Sequence, residues 1–434
     1  MDAVKGVAGA GLSAGTGGTP GPGRSRENGF GLLRLLLALA VVASHARPLG
    51  FGGGNPGTGV TRGQTDLGTL AVCGFFVLSG LLVTRSAVRL PVGRFLLHRA
   101  LRLLPGLWCC LLVTALVVAP AVAWHEGAGV ADLFGRPDGP WGYLAANWLV
   151  TVHQYGIGGL LGAVPHPYAF DGSLWSLRYE VLAYLVVAVL AAAGLLRRAG
   201  RLLVPLLAVG CWAVLAAAAP GYPGLRAPTY APDGIGFDLP VFGTGSTAQL
   251  VPLFLAFALG ASAAFHPGAV RRGGAGAAAV ATVVLAVSLR CGGFTVVGLP
   301  ALAYLLLWAA EHTPAPLRAV GRRHDYSYGL YVYAFPAQQV LAELGANHWG
   351  YAPYLVSSVL CAGAAAVLSW HLVEAPALRL RGVFRRRTNL FGRSATGERP
   401  REIASPKVDA VSGGGSTAGI GENPAACRRT SKRH

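Results

Sequence analysis

Apolar runs of about 17–25 residues recur along this 434-residue chain, and each is long enough to cross a bilayer as a helix. The runs lie near 30–47, 67–87, 101–122, 174–194, 202–219, 249–265, 275–290, 294–311, 326–344 and 352–373. Only 12% of residues are charged, about half the share of a soluble domain, and mean hydropathy is +0.50. The expected fold class is all-α: a polytopic membrane helical bundle of about ten transmembrane helices.

The loops carry charge in alternation. Arg89, Arg94 and Arg99 follow the second run, and Arg197, Arg198 and Arg201 the fourth. Arg271 and Arg272 follow the sixth, and Arg318, Arg322 and Arg323 the eighth. The loops between are neutral or acidic; 123–173 holds Glu126, Asp132, Asp138 and Asp171 against Arg136. This positive-inside pattern places both termini in the cytoplasm, in a cell membrane. It also explains the formal charge of +18, because the chain from Arg379 onward is basic and the rest of the excess sits in loops. No groove for nucleic acid is implied. Lysine occurs only as Lys5, Lys407 and Lys432, the usage of a GC-rich genome, so a bacterial source is expected.

Three regions follow: a flexible cytoplasmic segment (1–29) without a signal-cleavage pattern, a membrane domain (30–376), and a basic, disordered cytoplasmic tail (377–434) against anionic lipid. Segments 123–173 and 220–248 read as outer-face loops, the first with a short interfacial helix over Trp141–Val152. The seven cysteines form no CxxC, so neither a disulfide framework nor a metal site is expected.

Ionisable groups inside apolar runs are costly and mark function. Arg34 and His45 are eleven residues apart in the first run. At 100° per residue they return to within about 20° of one helix face, about 16 Å apart. His45 either acts as a general base on a hydroxyl or hydrogen-bonds a loop near the helix end. Arg34 either binds a phosphate of a cytoplasmic donor or snorkels to lipid. Arg99 and Arg102, three apart on one face, either clamp a phosphate or anchor the third helix. Glu180 lies about 10 Å inward from Ser173, a depth like that of His45 from the same side. It either orients the imidazole or pairs with Arg178, with Tyr184 one turn deeper. Ser79 lies among small residues (Gly74, Gly80) that permit close packing. Tyr328 and Tyr331 open the ninth helix at the inner face, and Glu374-Ala-Pro376 ends the tenth.

In this order the pieces resemble the acyltransferase-3 family of multi-pass membrane acyltransferases. The matching segments are Arg34-x10-His45, Phe75-Phe-Val-Leu-Ser-Gly80, Arg99-x-x-Arg102 with Pro105, and Leu174-Trp-Ser-Leu-x-x-Glu180. Tyr326-Ser-Tyr-Gly-Leu-Tyr331 and Glu374-x-Pro376 complete them. The resemblance implies transfer of an acyl group, commonly acetyl, from cytoplasmic acyl-CoA to a hydroxyl. The acceptor would be a cell-surface glycan, a lipid-linked sugar or a secondary metabolite. It implies His45 as the catalytic base with Glu180 as orienter, and Arg34, Arg99 and Arg102 on the donor. Ser79, Trp175, Tyr184, Tyr328 and Tyr331 would line the pocket. Acyl-CoA is then a co-substrate, and no bound cofactor is expected. Two positions depart from the family: Ala334-Phe-Pro336 replaces a His before the Pro, and Arg178 stands where a small residue is usual. Acceptor specificity falls to the outer loops. The rival reading is a proton-coupled transporter or flippase for an anionic or lipid-linked solute; the inverted repeats and broken helices common in transporters are not visible.

Overall fold

The computed structural model describes residues 29–218, 236–239 and 243–381. The expected N-terminal segment (all but its last residue), most of the tail and much of loop 220–248 lie outside the described residues.

Ten long helices form the bundle. They are α1 (Phe30–Phe51), α2 (Leu67–Arg89), α3 (Val92–His125), α4 (Leu177–Ala192, entered by a 3-10 turn at Ser173–Ser176), and α5 (Gly200–Ala218). They continue as α6 (Thr247–Phe265), α7 (Ala269–Cys291), α8 (Leu299–His312, entered by a π turn at Phe294–Gly298), α9 (Ser327–Glu343) and α10 (Tyr351–Ser369). Among the described residues nine spans are long and apolar enough to cross a membrane, α4 and α8 with their entry turns included; α9, at 17 residues, is not among them. A small antiparallel hairpin, β1 (Gly236–Leu239) and β2 (Gly243–Ser246), precedes α6.

Every expected apolar run is a helix, with three boundary differences. The third helix starts nine residues early, at Val92, because its first turns are basic and amphipathic and fall below an apolar threshold. α7 contains a left-handed break at Gly274, which is where the apolar pattern itself begins. The tenth helix does not stop at Pro376: it continues through a π turn at Trp370–Glu374 to Arg381. The wider turn relieves the clash a proline makes with the carbonyl four residues back.

α2 is the centre. Of its most apolar window 78% is buried, against 11% for α5 and 17% for α7, which face outward. Glycine permits this. A Cβ at Gly80 would lie 2.0 Å from the Phe257 carbonyl oxygen, and one at Gly260 would lie 1.9 Å from that of Val77. So α2 and α6 touch backbone to backbone. α9 is threaded between α1, α3 and α10. Pro336 frees the carbonyl of Val332, and the Cys110 thiol donates to it (3.3 Å). Gln338, fully buried, donates to Val42 O of α1 (2.9 Å), and Tyr354 OH donates to Gln338 O (2.8 Å).

Segment 127–172 is an ordered loop that packs along α3. Helices Val130–Gly135 and Pro140–Asn147 lead to Trp148, which stacks flat on Trp108 (4.7 Å between ring centres, 9° between planes). The Trp108 indole also donates to Trp148 O (3.0 Å). Trp108 is at the middle of α3, so the chain dips along the bundle and returns. Asn147 closes the tip: its Oδ1 accepts from the His153 and Gln154 amides, and its Nδ2 donates to Gln154 O (2.7 Å). These bonds satisfy backbone that lipid cannot. The expected interfacial helix is therefore Pro140–Asn147, and deeper.

Candidate functional site

The Arg34 end of α1, the early turns of α3 and the start of α9 converge on a cavity. Arg34 is one turn into α1, and Arg102 lies three turns into α3. Both guanidiniums meet one carboxylate oxygen, Asp325 Oδ2, at 2.8 Å and 2.7 Å. Arg102 also reaches Glu374 Oε2 (3.0 Å), whose other oxygen accepts from Ser369 Oγ (3.1 Å). Asp325 stands just before α9. Burial pushes its carboxyl up, but Arg102 and Arg34, with Ser327 Oγ donating, outweigh this and hold it at about 2. The Arg102 guanidinium lies over the rings of Tyr328 (5.4 Å) and Trp370 (5.9 Å). Arg99 differs. Among the described residues it has no carboxylate partner, its Nε is buried without a hydrogen bond, and its guanidinium lies 5.9 Å from the Tyr184 ring centre.

The opposite wall belongs to α2 and α4. Glu180 Oε1 accepts from Ser79 Oγ (3.0 Å) and Tyr184 OH (2.5 Å). Tyr331 closes the far end, pairing with Ser176 Oγ (2.8 Å) and donating to Ser173 O. Tyr328 OH donates to Leu103 O (2.7 Å), and Gly106 leaves room for its ring. Thus Arg34, Ser79, Arg99, Arg102, Glu180, Tyr184, Tyr328 and Tyr331 share one cavity. Trp175 does not line it: its ring packs edge-on against Tyr179 (6.1 Å).

His45 does not line it either. It sits beyond the Tyr331 end, half-buried, with Nδ1 sequestered and without a hydrogen-bond partner. Its ring meets Phe335 edge-on at 5.7 Å, and that ring meets His166 of the returning loop at 5.9 Å. Asp66 and His166 are the ionisable groups whose charge reaches it. Asp66 is the N-cap of α2, accepting from Thr69 N (2.9 Å) and from Ser44 Oγ (3.4 Å), next to His45. The expected pairing of Glu180 with His45 is therefore corrected. Equal depth did not bring them together, because Glu180 faces α2 and the arginines. The carboxylate bound by Ser44, the chain neighbour of His45, is Asp66. Its N-cap position before a long apolar run was the signal in the sequence. Asp325 gave little signal, being one acid in a loop that counts as basic. In the place of the absent histidine, Phe335 is the ring that His45 and His166 share.

Comparison with known proteins gives the family. Residues 27–371 match the Acyl_transf_3 family, described as an acyltransferase domain. The chain is 26% identical over 360 residues to the O-acetyl transferase of Shigella phage Sf6, covering 80% of this chain and 95% of that one. It is 30% identical over 380 residues to nodulation protein 10 of Rhizobium leguminosarum bv. viciae, covering 82% and 94%. No solved structure matches the chain.

Proposed function

The chain belongs to the acyltransferase-3 family, an integral-membrane O-acyltransferase by that membership, and from this premise we propose that it moves an acyl group, acetyl by preference, from cytoplasmic acyl-CoA to a hydroxyl of a surface glycan, a lipid-linked sugar or a related metabolite. The observation that supports this most is α1 itself: one helix face joins a cavity lined by three arginines to a half-buried imidazole about 16 Å further on. A donor with phosphates at one end and a thioester at the other suits that layout.

Arg99, lacking a carboxylate partner, meets the donor phosphates first. Arg34 and Arg102 follow by exchanging Asp325 for phosphate oxygens. The arm then runs past Ser79 and Tyr331 toward His45. His45 takes the proton of the acceptor hydroxyl as its oxygen bonds to the thioester carbon. The carbon–sulfur bond breaks, and the leaving thiolate takes the proton from His45. Asp66 stabilises the protonated imidazole in between. Direct transfer needs no acyl-enzyme.

The test compares ester-linked acyl groups released by mild base from surface glycans and extracted metabolites. The strains are wild type, a deletion, and the deletion carrying His45→Ala at matched membrane abundance. Loss of one ester in both mutants is expected. Loss in the deletion alone removes His45 from the chemistry, and no change in either returns the transporter.

A further inference from the structure

Beyond the acid–base group already described, one side chain is held as if for a ligand. Among the described residues the ring nitrogens of His166 have no protein partner, and the side chain is exposed, while Val164, Ala169 and Phe170 around it are buried. The backbone beneath it is fixed. Gln339, fully buried in α9, donates through Nε2 to both His166 O (2.7 Å) and Ala169 O (2.5 Å). Tyr168 N donates to Leu161 O (3.1 Å), and Phe170 N to Tyr155 O (2.8 Å). Both Leu161 and Tyr168 hold positive φ (+62° and +58°), a conformation that non-glycine residues adopt at a cost and that clusters at functional sites. Gly172 brings the loop tight onto Phe335; a Cβ there would lie 2.9 Å from the ring. The loop's other histidine is different: His153 is tied to Thr151 Oγ1 at 2.9 Å.

Building on the acyl-transfer reading above, we infer that His166 is an acceptor-binding residue, which hydrogen-bonds a second hydroxyl of the acceptor while His45 engages the one to be acylated. The Phe335 ring, 5% exposed, spaces the two imidazoles by contacting both. One imidazole is exposed and the other half-buried. A polyhydroxylated acceptor hydrogen-bonds both groups, whereas a simple alcohol engages one and leaves exposed His166 to water, so the preference is one hydrogen bond's worth.

The experiment uses the full-length protein in membranes of the deletion strain, with radiolabelled acetyl-CoA as donor. Lipid-plus-glycan extract from that strain is titrated as the acceptor probe, and base-labile label is counted. His166→Ala is expected to raise the extract needed for half-maximal rate about three- to ten-fold, one hydrogen bond's worth. The KM for acetyl-CoA stays within about two-fold of wild type, and His166→Asn restores part of the loss. Unchanged half-saturation in His166→Ala overturns the assignment, as does a rise in the acetyl-CoA KM of equal size. A thermal melt of each variant in detergent accompanies the kinetics. If His166→Ala melts well below wild type and His166→Asn recovers stability without recovering acceptor affinity, the role is structural and the assignment fails. Label in wild type no higher than in membranes of the deletion strain instead overturns the acyl-transfer reading itself.

Discussion

The two ends of α1 solve opposite problems. Around Arg34 the charges are matched: two guanidiniums share one Asp325 oxygen, and Arg102 bridges to Glu374, which is only 2% exposed. Around His45 the polar atoms are left open. His45 Nδ1, Gln338 Oε1 and Gln339 Oε1 are buried without partners. Asp325 and Asp171 show the difference in one chemical group. Asp325 is held at about 2 by its guanidiniums against the effect of burial. Burial pushes Asp171 up to about 7, with hydrogen bonds from Ser173 only partly opposing it. A site that must hold an anion keeps its cations pre-paired and therefore in place. A site that must accept a proton keeps a carboxylate, Asp66, on the neighbouring helix cap rather than a paired guanidinium cluster.

The largest effect that separates the ends is expected from His45→Ala. Transfer should fall about 10²–10⁴-fold, the usual contribution of a positioned base. Binding of the donor, read by isothermal titration with a non-transferable acyl-CoA analogue, should hold; a parallel loss of binding would merge the two ends into one site. Next is Arg102→Leu, which strands Glu374 and one side of Asp325. A cost of about 3 kcal/mol in stability is expected, seen as a lower melting temperature in detergent. An unchanged melt would mean that the pairing does not hold the bundle.

Third come opposite pH slopes. Asp325 sits below its ordinary value, so its stabilisation is present above about pH 4 and is lost as pH falls toward 2. That is about 2 kcal/mol, and Asp325→Asn should flatten the acid limb. Asp171 sits above its ordinary value, so stability declines as pH rises from about 4 to 7, and Asp171→Asn should remove that decline. Melts of both variants between pH 3 and 8 decide the sign. The smallest effect is Ser79→Ala, which removes one donor to Glu180 and should cost about 1 kcal/mol. A larger shift in the KM for donor than in stability would place Ser79 on the donor's path.

Helices were legible because lipid demands long apolar runs, and that demand is local. What crossed between helices was less so. The depth of Glu180 followed from helical rise, but rise says nothing of azimuth, and its carboxylate faces Ser79 rather than His45. Trp148 lay in a stretch with turn residues on both sides, and its stacking on Trp108 with the indole bond to its carbonyl shows that the segment packs along α3. Asp325 was hidden among Arg318, Arg322 and Arg323, where a loop's charge balance conceals a single acid with a fixed role. The arginines and His45 stood out because apolar neighbours make a charge conspicuous.

The contact between Gly80 and Gly260 also sets a timetable. The ribosome makes Gly80 180 residues before Gly260. At about 5–20 residues per second, α2 waits roughly 10–35 s for the helix that seals its glycine face. The helix at the middle of the finished bundle is thus among the first inserted and is closed over only when α6 follows. Throughout that wait its bare backbone groove is open to any neighbouring helix, so completion of this protein depends on the nascent α2 being kept apart from strangers until α6 arrives.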